Sequence, residues 1–283
     1  MSTKTTKILK SIFLEVRESE VVALIGRNGA GKSSILRTSV GLIDGFEGEV
    51  IKRPKLSIGY LPEERGLYKN ETVRENLSFF HQLQTGKSLN NKALLELVEQ
   101  MSLPASLLEK KTKELSKGQQ QKVQWLLAVA HHPELIVLDE PFSGYDPENS
   151  EWLISQIKIL CKKGVGFLVS SHRLDYMERL SDRLYCVNSG EIVAQGTFDS
   201  VFSKQEKNEY IMSFSEKPAA IDQKFKVLEN WQKSDFYYHI KLSENQKKED
   251  LFAFLLEHHS SRLVSVTPYR KNSHQVFQEI MPL

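Results

Sequence analysis

The nine residues GRNGAGKSS, 26–34, follow directly on the apolar run VVALI and constrain this chain more than any other stretch. Gly26, Gly31, Lys32 and Ser33 satisfy G-x-x-x-x-G-K-[ST], preceded by what reads as a strand buried on both faces and followed by an opening helix. Each residue type has a chemical reason. Glycines let backbone N–H groups wrap phosphate oxygens without a Cβ in the way, and the helix start adds favourable partial charge. A lysine there reaches β- and γ-phosphates, and the serine hydroxyl ligates Mg²⁺. The pattern predicts a nucleotide site formed by Gly26, Arg27, Asn28, Gly29, Ala30, Gly31, Lys32, Ser33 and Ser34.

Two later strands end in residues suited to that site. ELIVLDEP carries Asp139 and Glu140 at the end of an apolar run, where α/β sheets place ligands. Asp139 is expected to hold Mg²⁺, and Glu140 to orient or deprotonate an attacking water. FLVSSH ends in His172, placed to contact the terminal phosphate. A solvated acidic turn and an ordinary polar strand end are the plainer readings of these segments. Lys32 upstream favours the chemical ones.

The rest of the chain supplies the frame. SIFLEV alternates like a strand, and TVRE, with Thr72 and Glu75, is a capping box opening a helix; NNKALLELVEQM is a second amphipathic helix. SEWLISQIKILCKKG reads as a helix stopped at Gly164, and DRLYCVNSGEIVAQG as a hairpin across Asn188 to Gly190. Strands alternating with helices predict an α/β domain with a mainly parallel sheet. Ser203 to Glu209 is charged and apolar-poor, a linker. Beyond it YIMSFS, FYYHIKL and RLVSVTPY read as strands and KKEDLFAFLLEHH and NSHQVFQEIM as helices of a small α+β domain. The expected boundaries are 1–203, with a helical insert over about 70–118, and 209–283.

Composition narrows the partners. With 38 basic and 36 acidic residues the net charge is +2, so no electrostatic footprint for nucleic acid or anionic lipid is present. Cys161 and Cys186 lack metal-ligand spacing and read as buried free thiols. No apolar run approaches the roughly 18 residues of a membrane span, and the N-terminus carries no export signal. His131, His132, His258 and His259 read as favourable charges at helix C-termini, and Trp125 and Trp152 as core.

Taken in order, GRNGAGKSS, YLPEE, LSKGQQQ, LIVLDEP, SGYDP and SSH resemble the motif series of ATP-binding cassette (ABC) ATPases, over about Ile8 to Phe202. The resemblance implies the ABC fold, ATP and Mg²⁺, and hydrolysis. It also implies that Ser116, Lys117, Gly118 and Gln119, at a helix start, face the nucleotide of a second cassette in a homodimer or heterodimer. IGYLPEERGLY and HHPELIVLDEPFSGYDPEN closely resemble the sodium- and drug-efflux ATPases of bacterial exporters. A separate transmembrane permease, a place on the cytoplasmic face of the membrane, and no nucleic acid partner follow. The alternatives are a soluble ABC ATPase of non-transport function and an amino-acid-importer ATPase.

Departures from the family pattern are specific. Glu63 stands where most cassettes have a glutamine that contacts metal or water; its plain reading is a turn salt-bridged to Arg65. Lys117 replaces a glycine, Tyr145 a leucine, and Ser19 a turn glycine. The aromatic that stacks on adenine is missing near Thr3; Phe13 is the nearest, and its alternation predicts a core strand position.

Overall fold

The computed structural model describes residues 8–64, 66–202, 205–218 and 221–282. They divide into two compact units, one running to Phe198 and taking in Ile280, the other Asp199–Glu279.

In the first unit β1 (Val21–Ile25) is buried at all five positions, as an unbroken apolar run demands of a central parallel strand. The glycine loop passes straight into α1 (Lys32–Val40). After β2 (Ile58–Leu61) comes the helical insert, with α2 (Val73–Thr85) and α3 (Asn91–Gln100). Then follow α4 (Lys117–Val129), β3 (Leu135–Asp139), α5 (Pro147–Lys162), β4 (Gly166–Ser171), α6 (Leu174–Leu180), β5 (Arg183–Asn188) and β6 (Glu191–Gly196); the short α7 (Phe198–Phe202) starts on the last residue of this stretch and otherwise belongs to the second unit. The sheet order is β2-β3-β4-β1-β5-β6. Its first five strands run parallel and β6 returns antiparallel to β5. Ser189 and Gly190, with φ of 48° and 79°, make the two-residue turn that a right-twisted hairpin prefers.

The parallel order puts the C-terminal ends of β1, β3 and β4 side by side, which is where their polar residues fall. Beneath that edge Val22, Leu24, Ile35, Leu36, Val137 and Leu168 form one buried cluster. Each such aliphatic side chain contributes about 1.5–3 kcal/mol by leaving water. The capping box of α2 is formed: Thr72 Oγ1 accepts from the Glu75 N–H and Glu75 Oε2 from the Thr72 N–H, at 3.1 and 2.7 Å.

The second unit strings together β7 (Gln205–Phe214), α8 (Ile221–Lys224), β8 (Lys226–Gln232), β9 (Phe236–Lys241), α9 (Lys248–His259), β10 (Leu263–Arg270) and α10 (Ser273–Ile280). The sheet order is β10-β7-β9-β8, antiparallel throughout. A β-α-β-β-α-β succession in that order is the split β-α-β arrangement. Tyr210, Met212, Phe214, Tyr238 and Ile240 alternate onto one face and form a core with Leu251 and Leu255 of α9.

Several expectations are corrected. SIFLEV is extended but pairs as no strand. Its alternation is real, since Ile12, Leu14 and Val16 pack on the core, yet Phe13 on the opposite side is 78% exposed and is not a core residue. Gln205–Glu209, expected as linker, begin β7, because backbone pairing to β9 and β10 outweighs their polarity. β8 escaped prediction: KVLENWQ buries little and shows no clean period. Cys186 is buried, but Cys161 is only partly so, and Trp152 is half-buried against the buried Trp125, ring to ring at 6.4 Å. Thr3 and Arg65 lie outside the described residues.

Candidate nucleotide site

The loop after β1 is shaped by its glycines. Gly31 has φ 105° at the position capping α1, a left-handed conformation that other residues adopt at a cost. That turn delivers Lys32 at the start of α1, where it is 5% exposed. Its ammonium donates to Gly26 O at 2.9 Å and Arg27 O at 3.2 Å, and lies 3.2 Å from Glu140 Oε1. The last contact is an ion pair without hydrogen-bond geometry, for Oε1 has no donor.

Asp139 and Glu140 leave β3 at the same edge. Ser33 Oγ donates to Asp139 Oδ1 at 3.1 Å, and Ser170 Oγ, from β4, to the same oxygen at 2.7 Å. Asp139 Oδ2 is buried without a donor. Glu140 takes φ 45°, a left-handed backbone that costs a non-glycine residue about 1–3 kcal/mol and clusters at functional sites. The Glu140 N–H donates to Ser170 Oγ at 2.9 Å. His172 Nδ1 donates to Glu140 Oε2 at 2.9 Å, which leaves Nε2 directed away from the carboxylate on a half-exposed ring. Burial pushes the phenol of Tyr60, on β2, upward, and the Asp139 charge adds to the effect.

Lys32, Ser33, Asp139, Glu140 and His172 are thus one constellation assembled from α1, β3 and the end of β4. Glu63 joins it at one side, lining a pocket with Asp139 and Glu140. The start of α4 stands apart, bonded to its own surroundings. Ser116 Oγ accepts from the Gln119 N–H at 3.2 Å while Gln119 Oε1 accepts from the Ser116 N–H at 3.0 Å. Gly118 leaves room for Asn149, whose Nδ2 would lie 2.8 Å from an added Cβ. That amide is fixed by Asp146 Oδ2 at 2.8 Å. Asn149 holds the Asp146 carboxyl below its ordinary range through its backbone N–H and then its side chain, and the Lys117 charge acts in the same direction.

One lining residue was not anticipated. Gln124 is 7% exposed on α4 and faces the pocket with Glu63, Asp139 and Glu140. A polar residue between Val123 and Trp125 in an otherwise apolar helical run was its one sequence signal.

The ABC transporter family model matches residues 9–143, from before β1 through the two carboxylates. An ABC transporter ATP-binding protein of Methanocaldococcus jannaschii is 40% identical over 205 residues, covering 72% of this chain and 78% of the relative. The chain belongs to the ABC transporter ATP-binding proteins. It is an ATPase of that family, and the parallel sheet with its glycine loop is the ABC cassette. The lipopolysaccharide export ATP-binding protein LptB of Haemophilus influenzae is 31% identical, covering 72% of this chain and 90% of its own. A dimeric bacterial ABC transporter cassette superposes with a TM-score of 0.60 at 25% identity, covering 68% of this chain and 90% of that one.

Proposed function

We propose that this ATPase drives export through a separate membrane permease, the first unit acting as the hydrolytic domain and the second as an accessory. The observation that carries the hydrolytic part is the Lys32–Glu140–His172 cluster beside Ser33 and Asp139. Lys32 binds the β- and γ-phosphates, and His172 Nε2 donates to a γ-oxygen when the ring is protonated. Glu140 accepts a proton from water as the water oxygen bonds to the γ-phosphorus. The bond from that phosphorus to the bridging oxygen breaks, releasing ADP and phosphate. Ser33 and Asp139 suit Mg²⁺, which takes few protein oxygens and keeps its remaining positions for phosphate and water; the buried, donor-free Asp139 Oδ2 fits that role. When bound, the ion neutralises charge on the β/γ-oxygens.

Among the described residues no helix is long and apolar enough to cross a membrane, which supports a reading in which a separate permease supplies the path. The insert offers it an apolar patch. Tyr68 is 50%, Phe79 47% and Leu83 70% exposed, with Tyr68 and Phe79 in edge contact at 5.5 Å, and such patches mark interaction sites. Kinship with a lipopolysaccharide export ATPase favours the outward direction and a place on the cytoplasmic face. A second cassette, identical or different, would close over the nucleotide with its Ser116–Gln119 segment, whose helix start suits an anion.

Glu140→Gln is the test. ATP binding is retained while turnover falls about 10²–10⁴-fold, the usual weight of a general base. Undiminished hydrolysis would remove Glu140 from its role. Cargo appearing inside inverted vesicles that contain the permease supports export, and cargo leaving them refutes it.

A further inference from the structure

The pocket between the ends of β2 and β3 and the middle of α4 has a volume of about 20 Å³, more than the roughly 10–15 Å³ that one water needs. Three of its side chains, Glu63, Asp139 and Glu140, are carboxylates. Asp139 Oδ2 and Glu140 Oε1 are buried without donors, so a water entering here finds acceptors for its protons. It is not thereby aimed. A water that gives its protons to carboxylates still swings about its lone pairs unless a donor holds one of them.

Of the buried side chains lining the pocket, Gln124 alone carries N–H donors. The preceding glutamines spend their amides on backbone, Gln120 on Leu115 O at 3.1 Å and Gln121 on Gly144 O at 3.4 Å. The Gln124 carboxamide makes no hydrogen bond to any described residue, so its N–H groups are free to meet a water in the pocket. Glu63, on the facing loop, brings a further negative charge and no amide.

We propose that Gln124 is a positioning residue for ATP hydrolysis, its carboxamide donating from α4 to the water that Glu140 deprotonates. This rests on the reading of Glu140 as the base. The bonds made and broken are those given above, the proton passing to Glu140 and the γ-phosphoryl group to water. The amide enters this pocket from α4 because the loop at Glu63 presents a carboxylate.

Steady-state hydrolysis by the full-length chain tests it, with melting curves to establish folding. Gln124→Leu, which keeps the volume and removes the donor, should lower kcat about tenfold with KM for ATP within about twofold, the effect of one such hydrogen bond. Adding Glu63→Gln should restore most of the loss by returning an amide from the loop. If the leucine variant does not fold, the isosteric Gln124→Glu carries the same expectations. Wild-type kcat in the folded variant, or a loss that Glu63→Gln leaves untouched, overturns the proposal. Loss of turnover in Glu140→Gln but not in Gln124→Leu refutes the role of Gln124 alone; turnover retained in Glu140→Gln refutes the base assignment instead.

Discussion

At His131 two forces oppose, and burial wins. Its position just past α4 predicts a charge welcomed by the helix C-terminus, but the ring is half-buried and its Nε2–H donates to Ile58 O at 3.2 Å. Desolvation lowers its pKa, with the nearby charges of His81 and His132 adding to the effect; His81 is lowered by burial as well. The unfolded imidazole, near its ordinary 6.5, therefore takes up a proton that the folded one refuses. Stability is full above that pH and falls as pH drops through it toward the lower folded value. Urea midpoints across this window should show that slope, shallower in His131→Gln; an identical slope in the variant would clear His131 of it. The same competition explains what was legible residue by residue. Lys32, Ser33, Asp139 and Glu140 declare themselves because phosphate and water chemistry accept few substitutes at those spacings. Gln124 does not, since a lone glutamine in a helical run acquires meaning only from what α4 faces. Phe13 shows the converse: alternation fixes a side, and which side meets the core depends on partners far along the chain.

Elements were legible where their ends carry their own chemistry. Thr72 and Glu75 cap α2 as their spacing predicts, and Thr72→Ala should cost about 1 kcal/mol. Hydrogen exchange in the first turn of α2 should rise accordingly; unaltered protection there would show that packing, not the cap, holds the helix start. Strands depended on context. β1, β3 and β4 are recognisable as apolar runs because both faces are covered, whereas β8 and the first residues of β7 take their conformation from neighbouring strands. Extended residues 11–16 have the right pattern and no ladder, bonded instead by isolated contacts such as the Glu15 N–H to the Tyr185 hydroxyl at 3.4 Å.

At the scale of the molecule, the proposed function has a second cassette complete each site. The full-length Glu140→Gln protein should double in mass by light scattering when ATP is added. With Lys117→Gly added, the ATP needed should rise severalfold as a cation facing the γ-phosphate is lost; an unchanged requirement would leave Lys117 directed at solvent and Asp146. The second unit has a simpler lesson in its wiring. Gln205, where β7 begins, pairs with Arg270, where β10 ends, so the chain leaves this sheet beside the point where it entered. A module whose two ends share one doorway can be gained, lost or exchanged between lineages without rethreading the protein that carries it. The wiring of the second unit therefore lets its sequence vary without altering the path of the ATPase ahead of it.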